Sequence, residues 1–432
     1  VKVLGAAKVL LIARFYGTSD ALDAYLIAFL IPSFLADVIS LATSSALIPA
    51  YVETRTQNGI EGAQKLLGNV VFLCMGICAV LVIFICAASN PLLAVAASGF
   101  EEQKLALTKE LLRIMSVIVV FGGLGAIWKS VLNSMNRFAL PAAVTVITPI
   151  AIVGTVIGVW LGGGTPDGYT LAFGTVGGSA VECVFVFWKL AKTGISPLPR
   201  WSSSDEATTK MIAEYWPVMI SSLVAGSSVY ANLSMAASLG SGSVAAMNYG
   251  TRVLNLALAI GPNAIGTAVL PHFSAMVAGQ QSAALRELLG DFRRNVFLFS
   301  VPVTAALVLG STLLVRLLFE HGAFTSADTD QVASVQRLAL LQIPFAIISA
   351  VLARMISALK ANRVLLGGAI ASLSVNVILN YLLTPIMGVS GIALATAAAA
   401  FVYYCYLSRL LSKRLDVVDD FFQQRNSVSN ID

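Results

Sequence analysis

"VAAMNYGTRVLNLALAIGPNAIGTAVLP", residues 244–271, carries a single charged side chain, Arg252. A helix of roughly 20 apolar residues crosses about 30 Å of hydrocarbon, and this run is longer than that. A guanidinium inside such a run needs a water-filled cavity or a partner. Composition decides between bilayer and soluble core. The chain has 432 residues, 57% hydrophobic and 11% charged, with a mean hydropathy of +0.85. A soluble chain of this length carries about a quarter of its residues as charges. Comparable apolar runs recur from end to end, without the polar–apolar alternation of a transmembrane barrel.

Reading apolar runs between polar breaks predicts twelve helices, over 1–16, 22–51, 65–90, 104–132, 139–162, 169–191, 209–238, 243–273, 288–318, 330–358, 362–384 and 389–412. The chain opens at Val1, already apolar and without Met, so the first helix is expected to be cut short. Loops after the odd-numbered helices are nearly free of basic residues; "GFEEQK" contributes only Lys104. Loops after the even-numbered helices hold Arg55, Lys65, Arg137, Lys189, Lys192, Arg200, Lys210, Arg286, Arg293, Arg294, Lys360 and Arg363. Positive residues stay cytoplasmic, which puts both termini inside. The net charge of +5 is thereby explained by topology and implies no nucleic acid.

The chain also repeats itself. Gly17 answers Gly240, Pro49 answers Pro271, Gly99 answers Gly322, Arg113 answers Arg337, and Asn136-Arg137 answers Asn362-Arg363. "GYTLAFG" from Gly168 answers "GIALATA" from Gly391. The offset is about 223 residues (240 less 17, for example), or six helices, and an even number preserves direction. Parallel repeats of this kind hold a site near the midplane. The expected fold is therefore an all-α polytopic membrane protein, with about 12 transmembrane helices in two parallel-repeat six-helix bundles around a central cavity. Its expected parts are an N-terminal bundle over 1–192, a cytoplasmic linker over 193–208, a C-terminal bundle over 209–414 and a polar cytoplasmic tail over 415–432.

Chemistry of the enzymatic kind finds no residues. Cys74, Cys78, Cys86, Cys183 and Cys405 lie in apolar runs without His or carboxylate beside them, as inert thiols do. His272 and His321 form no cluster. No nucleophile–base arrangement, phosphate loop or metal motif occurs, so neither an enzyme nor a metal site is expected.

"LFEHGAFTSADT" (318–329), "VLNSMNRFALPA" (131–142), "SGSVAAMNYGTRV" (241–253), "AIGTAVLP" (264–271) and "GIALATA" (391–397) resemble the MurJ (MviN) family of lipid II flippases. These belong to a superfamily of drug and lipid-linked-oligosaccharide exporters. The likeness runs through the chain in the correct order. Family members carry two further helices after the twelfth, which are absent from this sequence or cut off. The resemblance implies a monomeric exporter in the bacterial inner membrane. It would move an undecaprenyl-pyrophosphate-linked saccharide to the outer leaflet by alternating access around a cationic cleft. A flippase for O-antigen or exopolysaccharide intermediates is the alternative, and a multidrug cation antiporter would need an acidic cleft instead.

Under that resemblance Arg252 contacts the pyrophosphate, a role that suits a bidentate guanidinium; the plainer reading is an interhelical salt bridge. Lys2 and Lys8 match two cavity arginines of the family's first helix. Asp23 matches a family aspartate that pairs with a cavity cation or forms part of an outer gate, against the plainer reading of a carboxylate complementing a helix dipole. Asn232, Asn376, Asn380 and Thr396 match positions that bind sodium in part of the family. All four are neutral here, which favours interhelical hydrogen bonding and leaves coupling to sodium or to membrane potential alone.

Where members of the family it resembles carry a pair of arginines, this chain reads Ala36-Asp37, and Asp37 is expected to pair with Lys8 or Arg252. Lys129 and Arg14 are expected to snorkel, and Glu182 to find a basic partner. Gly122, Gly123, Gly125, Gly177 and Gly178 read as close-packing positions, and Pro32, Pro217, Pro262 and Pro344 as kinks.

Overall fold

The computed structural model describes residues 2–202, 206–259, 282–358 and 362–429, and every regular element among them is an α-helix. The first are α1 (Lys2–Tyr16), α2 (Asp20–Ala87), α3 (Ser89–Ala96), α4 (Glu102–Met115) and α5 (Ile118–Ser134). Next come α6 (Ala139–Val144), α7 (Ile147–Leu161), α8 (Gly168–Ala191), α9 (Glu206–Ala237) and α10 (Ser243–Gly250). A helical stretch at 252–259 leads on to α11 (Ser282–Leu309), α12 (Ser311–Phe319), α13 (Ser326–Leu340), α14 (Ile343–Ala358), α15 (Asn362–Met387) and α16 (Val389–Ser429).

Among the described residues, eight helical stretches are long and apolar enough to cross a bilayer, or nine when α13 and α14, bent by 42° at their junction, count as one. Three further expected runs complete the twelve. α2 contains two, α1 is the short first run, and 243–273 is described as far as residue 259. Pro344 stands just past the bend, as expected of a residue that cannot donate to the preceding turn. Pro32 and Pro217 lie inside continuous helices, and Pro262 falls outside the described residues. Large apolar side chains face outward, Leu309 at 85% exposure and Ile386 at 81%, as suits a surface wetted by lipid tails.

Two expectations about helix ends are corrected. The segment between 51 and 65 is not a loop, because α2 is helical on both sides of Gly59 (φ 70°, ψ −167°). Glu53, Arg55, Gln57, Glu61, Ala63 and Gln64 favour helix, and the chain breaks where Gly59 permits a positive φ. A Cβ on Gly123 of α5 would meet Ile39 at 3.5 Å, Cys78 at 2.9 Å and Cys74 at 3.1 Å, so both limbs of α2 lie against one helix. At the other end of the chain, α16 continues to Ser429, through the segment expected to be a polar tail.

Small residues set the packing, as expected for some glycines and not others. A Cβ would fall 2.7 Å from Ala36 at Gly122 and 2.8 Å from the Thr148 backbone at Gly178. Gly125 and Gly177 face open space.

The chain forms two compact units, Val1–Ala245 with Phe319–Thr325, and Ala246–Leu318 with Ser326–Asp432. In the first, Leu47, Leu66, Leu67, Ile127, Val131 and Leu190 make a core with essentially no exposure. α9 packs along α2 there, with Phe34 against Tyr230 at a ring separation of 4.2 Å. In the second unit α15 and α16 pair, and Phe297, Phe345, Phe401 and Tyr404 interlock at centroid distances of 5.0–6.0 Å.

The residues expected to be a linker are strapped to the first unit. Trp128 Nε1 donates to the Pro197 carbonyl at 3.3 Å, and the Arg200 amide donates to the Gly68 carbonyl at 3.2 Å. The Asn69 side chain, wholly buried, accepts from the Ser202 amide at 2.9 Å and donates to Thr208 Oγ1 at 3.2 Å.

Candidate functional site

The most elaborate polar site lies at the end of the first unit that carries the basic-poor loops. Asp23 sits one turn into α2 with no solvent exposure. One carboxylate oxygen accepts from Lys104 Nζ and from the Gly242 amide, both at 2.8 Å; the other accepts from the Ala245 amide at 2.7 Å. Gly242 and Ala245 flank the first turn of α10, whose amides have no helical partner. A carboxylate complements that positive helix end. Both oxygens of the buried charge are thus hydrogen-bonded and a cation is paired with it, the condition under which burial is tolerated.

Lys104, at 8% exposure, also binds Asp20 at 2.6 Å and lies 4.2 Å from the centre of the Phe100 ring. Ser241 Oγ closes the cluster by donating to Asp20 at 2.7 Å. The start of α2, the start of α4 and the turn before α10 are therefore held by one charge network. The sequence leaves Asp23 open between a functional pairing and a carboxylate complementing a helix dipole, and it shows Lys104 as an exception to a basic-poor loop. That exception, at the same end as two aspartates, was the signal for it.

Arg252 stands in the second unit, partly buried at the start of the 252–259 helix. Its Nη2 donates to Asn248 Oδ1 at 2.5 Å. Asn248, one turn earlier, thereby aims the guanidinium. The rest of "NYGTRV" has local reasons. Tyr249 is buried, a Cβ on Gly250 would fall 2.7 Å from Val335, and Thr251 Oγ1 donates to the Met247 carbonyl at 2.9 Å. Lys8 is partly buried on α1, and the side chain of Lys2 lies outside the described residues. Arg14 is exposed, as snorkelling requires.

Lys129 does not snorkel. Its ammonium lies 2.5 Å from Glu182, whose other oxygen accepts from Thr148 Oγ1 at 3.0 Å, so a charge on α5 is neutralised from α8 and the carboxylate is held from α7. Glu182 thus has the basic partner expected of it. Asp37 does not pair with Lys8: it is exposed on α2 and makes no ion pair among the described residues.

Of the four residues at sodium-type positions, three meet in the second unit. Asn376 Nδ2 donates to Thr396 Oγ1 at 3.3 Å, and Asn380 Nδ2 donates to Asn376 Oδ1 at 3.4 Å. Thr396 Oγ1 itself donates to the Ile392 carbonyl at 2.8 Å. Asn232 belongs to α9 of the first unit, where it is buried. Among the described residues no group of three or more metal-ligating side chains occurs.

A small pocket of about 230 Å³ at the basic-loop end is lined by Glu53, Thr54, Gln57, Asn58, Glu206 and Lys210. Lys210 is committed to Glu53 at 3.0 Å, so the pocket offers an anion no uncommitted ammonium.

Known proteins resemble this chain over nearly its whole length. A lipid II flippase MurJ of Burkholderia cenocepacia is 28% identical over 420 residues, 96% of this chain and 81% of the relative. One from Thermosipho africanus is 28% identical over 424 residues, 98% of this chain and 85% of the relative. A solved structure of the lipid II flippase MurJ in an inward closed conformation superposes with a TM-score of 0.82 at 26% identity, covering 95% of this chain and 85% of the other. An inward-facing multidrug transporter of the MATE family matches in fold, with a TM-score of 0.81 at 15% identity over 97% of this chain and 96% of the other. The family model described as lipid II flippase MurJ matches residues 12–428. With that agreement in sequence and in helical architecture, the chain belongs to the MurJ family.

Proposed function

We propose that this protein carries an undecaprenyl-pyrophosphate-linked peptidoglycan precursor, lipid II, from the inner to the outer leaflet of a bacterial cytoplasmic membrane. The observation that carries the reading is a family match over 12–428 to lipid II flippases. The physical task suits the fold. A bilayer blocks a pyrophosphate with its sugars, while the lipid tail stays in hydrocarbon. The carrier therefore needs a wet, positive cleft, and Lys2, Lys8 and Arg252 are its cationic residues. The two six-helix halves, 1–192 and 209–414, alternate access to that cleft as a monomer, with both termini cytoplasmic. On that orientation the Asp23 network closes the outer side.

Coupling to sodium is not supported by the asparagine cluster. Two of its oxygens, Thr396 Oγ1 and Asn376 Oδ1, already accept amide N–H groups, and a neutral set of oxygens offsets a buried cation poorly. Interhelical hydrogen bonding is its role. Membrane potential suffices as a drive, because each negative charge moved outward is worth about 2.3 kcal/mol per 100 mV.

Native mass spectrometry of the purified protein tests the substrate. A co-purifying lipid II mass, lost in Arg252→Ala, is expected. Another lipid-linked glycan in its place would move the assignment to O-antigen or exopolysaccharide export, a change that Asp37 in the stead of a cation would favour. Transport in liposomes should be equal in sodium and in potassium.

A further inference from the structure

Two glycines singled out by the internal repeat have no role in the charge network, and both are places where backbones touch. A Cβ on Gly322, which has a φ of +69°, would lie 2.4 Å from the carbonyl oxygen of Arg14. A Cβ on Gly99 would lie 2.5 Å from Ser238 Cα and 2.8 Å from the carbonyl oxygen of Ala237. Gly99 and Gly322 answer one another in the repeat, and so do Arg14 and Ala237, at the same offset of about 223 residues. The two contacts are therefore one contact made twice. In each, the loop after the third helix of one half rests on the end of the first helix of the other half.

Each seat carries a further bond. The Ala323 amide donates to the Arg14 carbonyl at 2.8 Å, and Ser234 Oγ donates to the Val95 carbonyl at 2.6 Å. Around the first seat Gly17 is equally tight, since a Cβ there would fall 2.4 Å from the Ala323 carbonyl oxygen. The obstructing atoms are backbone, so no rotamer change relieves the clash, and the requirement for glycine is steric at both seats.

We propose that Gly99 and Gly322 form a reciprocal, twofold clasp that fastens the basic-poor end of the molecule, and that its two seats engage and release together. The inference rests on the alternating-access reading for its purpose: release of the clasp accompanies opening on that side. Because each half supplies one loop and one helix end, neither seat can part by a rigid movement of the halves without straining the other. The Asp23 network joins the starts of α2, α4 and α10 at the same end.

Hydrogen–deuterium exchange of the purified full chain tests the coupling. Gly99→Ala adds contact without demanding a positive φ, and Gly322→Ala adds both. Gly388→Ala, at a φ of +58° with open space around it, is the control for strain alone. Gly99→Ala should raise exchange about tenfold at 14–18 and 319–325, the seat it does not touch, and Gly322→Ala should do so at 95–100 and 234–238. Gly388→Ala should leave both unchanged. Ser234→Ala removes a bond without adding bulk and should act in the same direction more weakly, which covers a glycine variant that fails to fold. Faster exchange confined to the substituted seat would overturn the clasp. Coupled exchange in a wild-type protein that moves no lipid would leave the clasp standing and remove the transport reading, whereas lipid movement with purely local exchange would do the reverse.

Discussion

Replacing Asp23 by alanine removes three charge-assisted hydrogen bonds at once, two from backbone amides and one from Lys104. Breaking a buried, hydrogen-bonded ion pair costs about 3–5 kcal/mol, because the remaining charge is left without compensation. Here Lys104 keeps Asp20, 2.6 Å from the same ammonium. The expected cost is accordingly near the low end of the range, about 3 kcal/mol, which displaces the equilibrium between the closed and released forms of this end by roughly a hundredfold. Ser243, 3% exposed at the start of α10, is a suitable reporter as Ser243→Cys in a background without the five native cysteines. Asp23→Ala should speed its reaction with a membrane-impermeant maleimide by roughly a hundredfold. Lys104→Met on top of Asp23→Ala should add much less than it costs alone, since both belong to one network. A folded Asp23→Ala protein whose labelling changes by less than about threefold would refute this account of the network, because a shift that small corresponds to under about 0.7 kcal/mol.

Three further outcomes follow from the same geometry. Lys129→Met should destabilise the folded protein by about 3 kcal/mol by stranding Glu182, and Lys129→Met with Glu182→Gln should recover most of it; additive losses in a thermal double-mutant cycle would argue against a coupled pair. Asn248→Ala should weaken lipid binding about tenfold while the protein stays folded, because the guanidinium loses the acceptor that orients it; a native mass spectrometry titration that matches wild type would remove Asn248 from that role. Asn69→Ala should cost about 1–3 kcal/mol through unmet partners in the strap and expose 195–202 to proteolysis, with an unchanged cleavage rate as the contrary result.

Much of the architecture was readable because bilayer thickness and loop charge act on whole segments. The bend at Pro344 and the packing at Gly122, Gly123 and Gly178 follow from local sequence, as does the need of Glu182 for a cation, but not that Lys129, 53 positions away, meets it. What escaped depended on distance along the chain. Lys104 reaches Asp23 across 81 positions, and a count of basic residues per loop treats it as noise. Asn69 looks like an unremarkable polar residue in a helix, and only the path of residues 195–202 over it reveals its use. Gly125 and Gly177 share the composition of their packed neighbours, but a Cβ there would have no neighbour within 4 Å. Asn248 was missed for a different reason. Its spacing of four from Arg252 puts both on one helix face, but a neutral amide at that spacing carries no signal of its own.

The strap over Asn69 changes what the covalent chain has to do between its two halves. Residues 195–202 are bonded to α2 and α5, and Thr208, beyond the interval 203–205, is bonded to the same asparagine. The residues on both sides of that interval are thus anchored to Asn69 of α2 independently of one another. A protein made as two fragments divided within 203–205 should assemble from its parts, and the site is the natural place to divide the molecule for segmental isotope labelling or for insertion of a reporter domain.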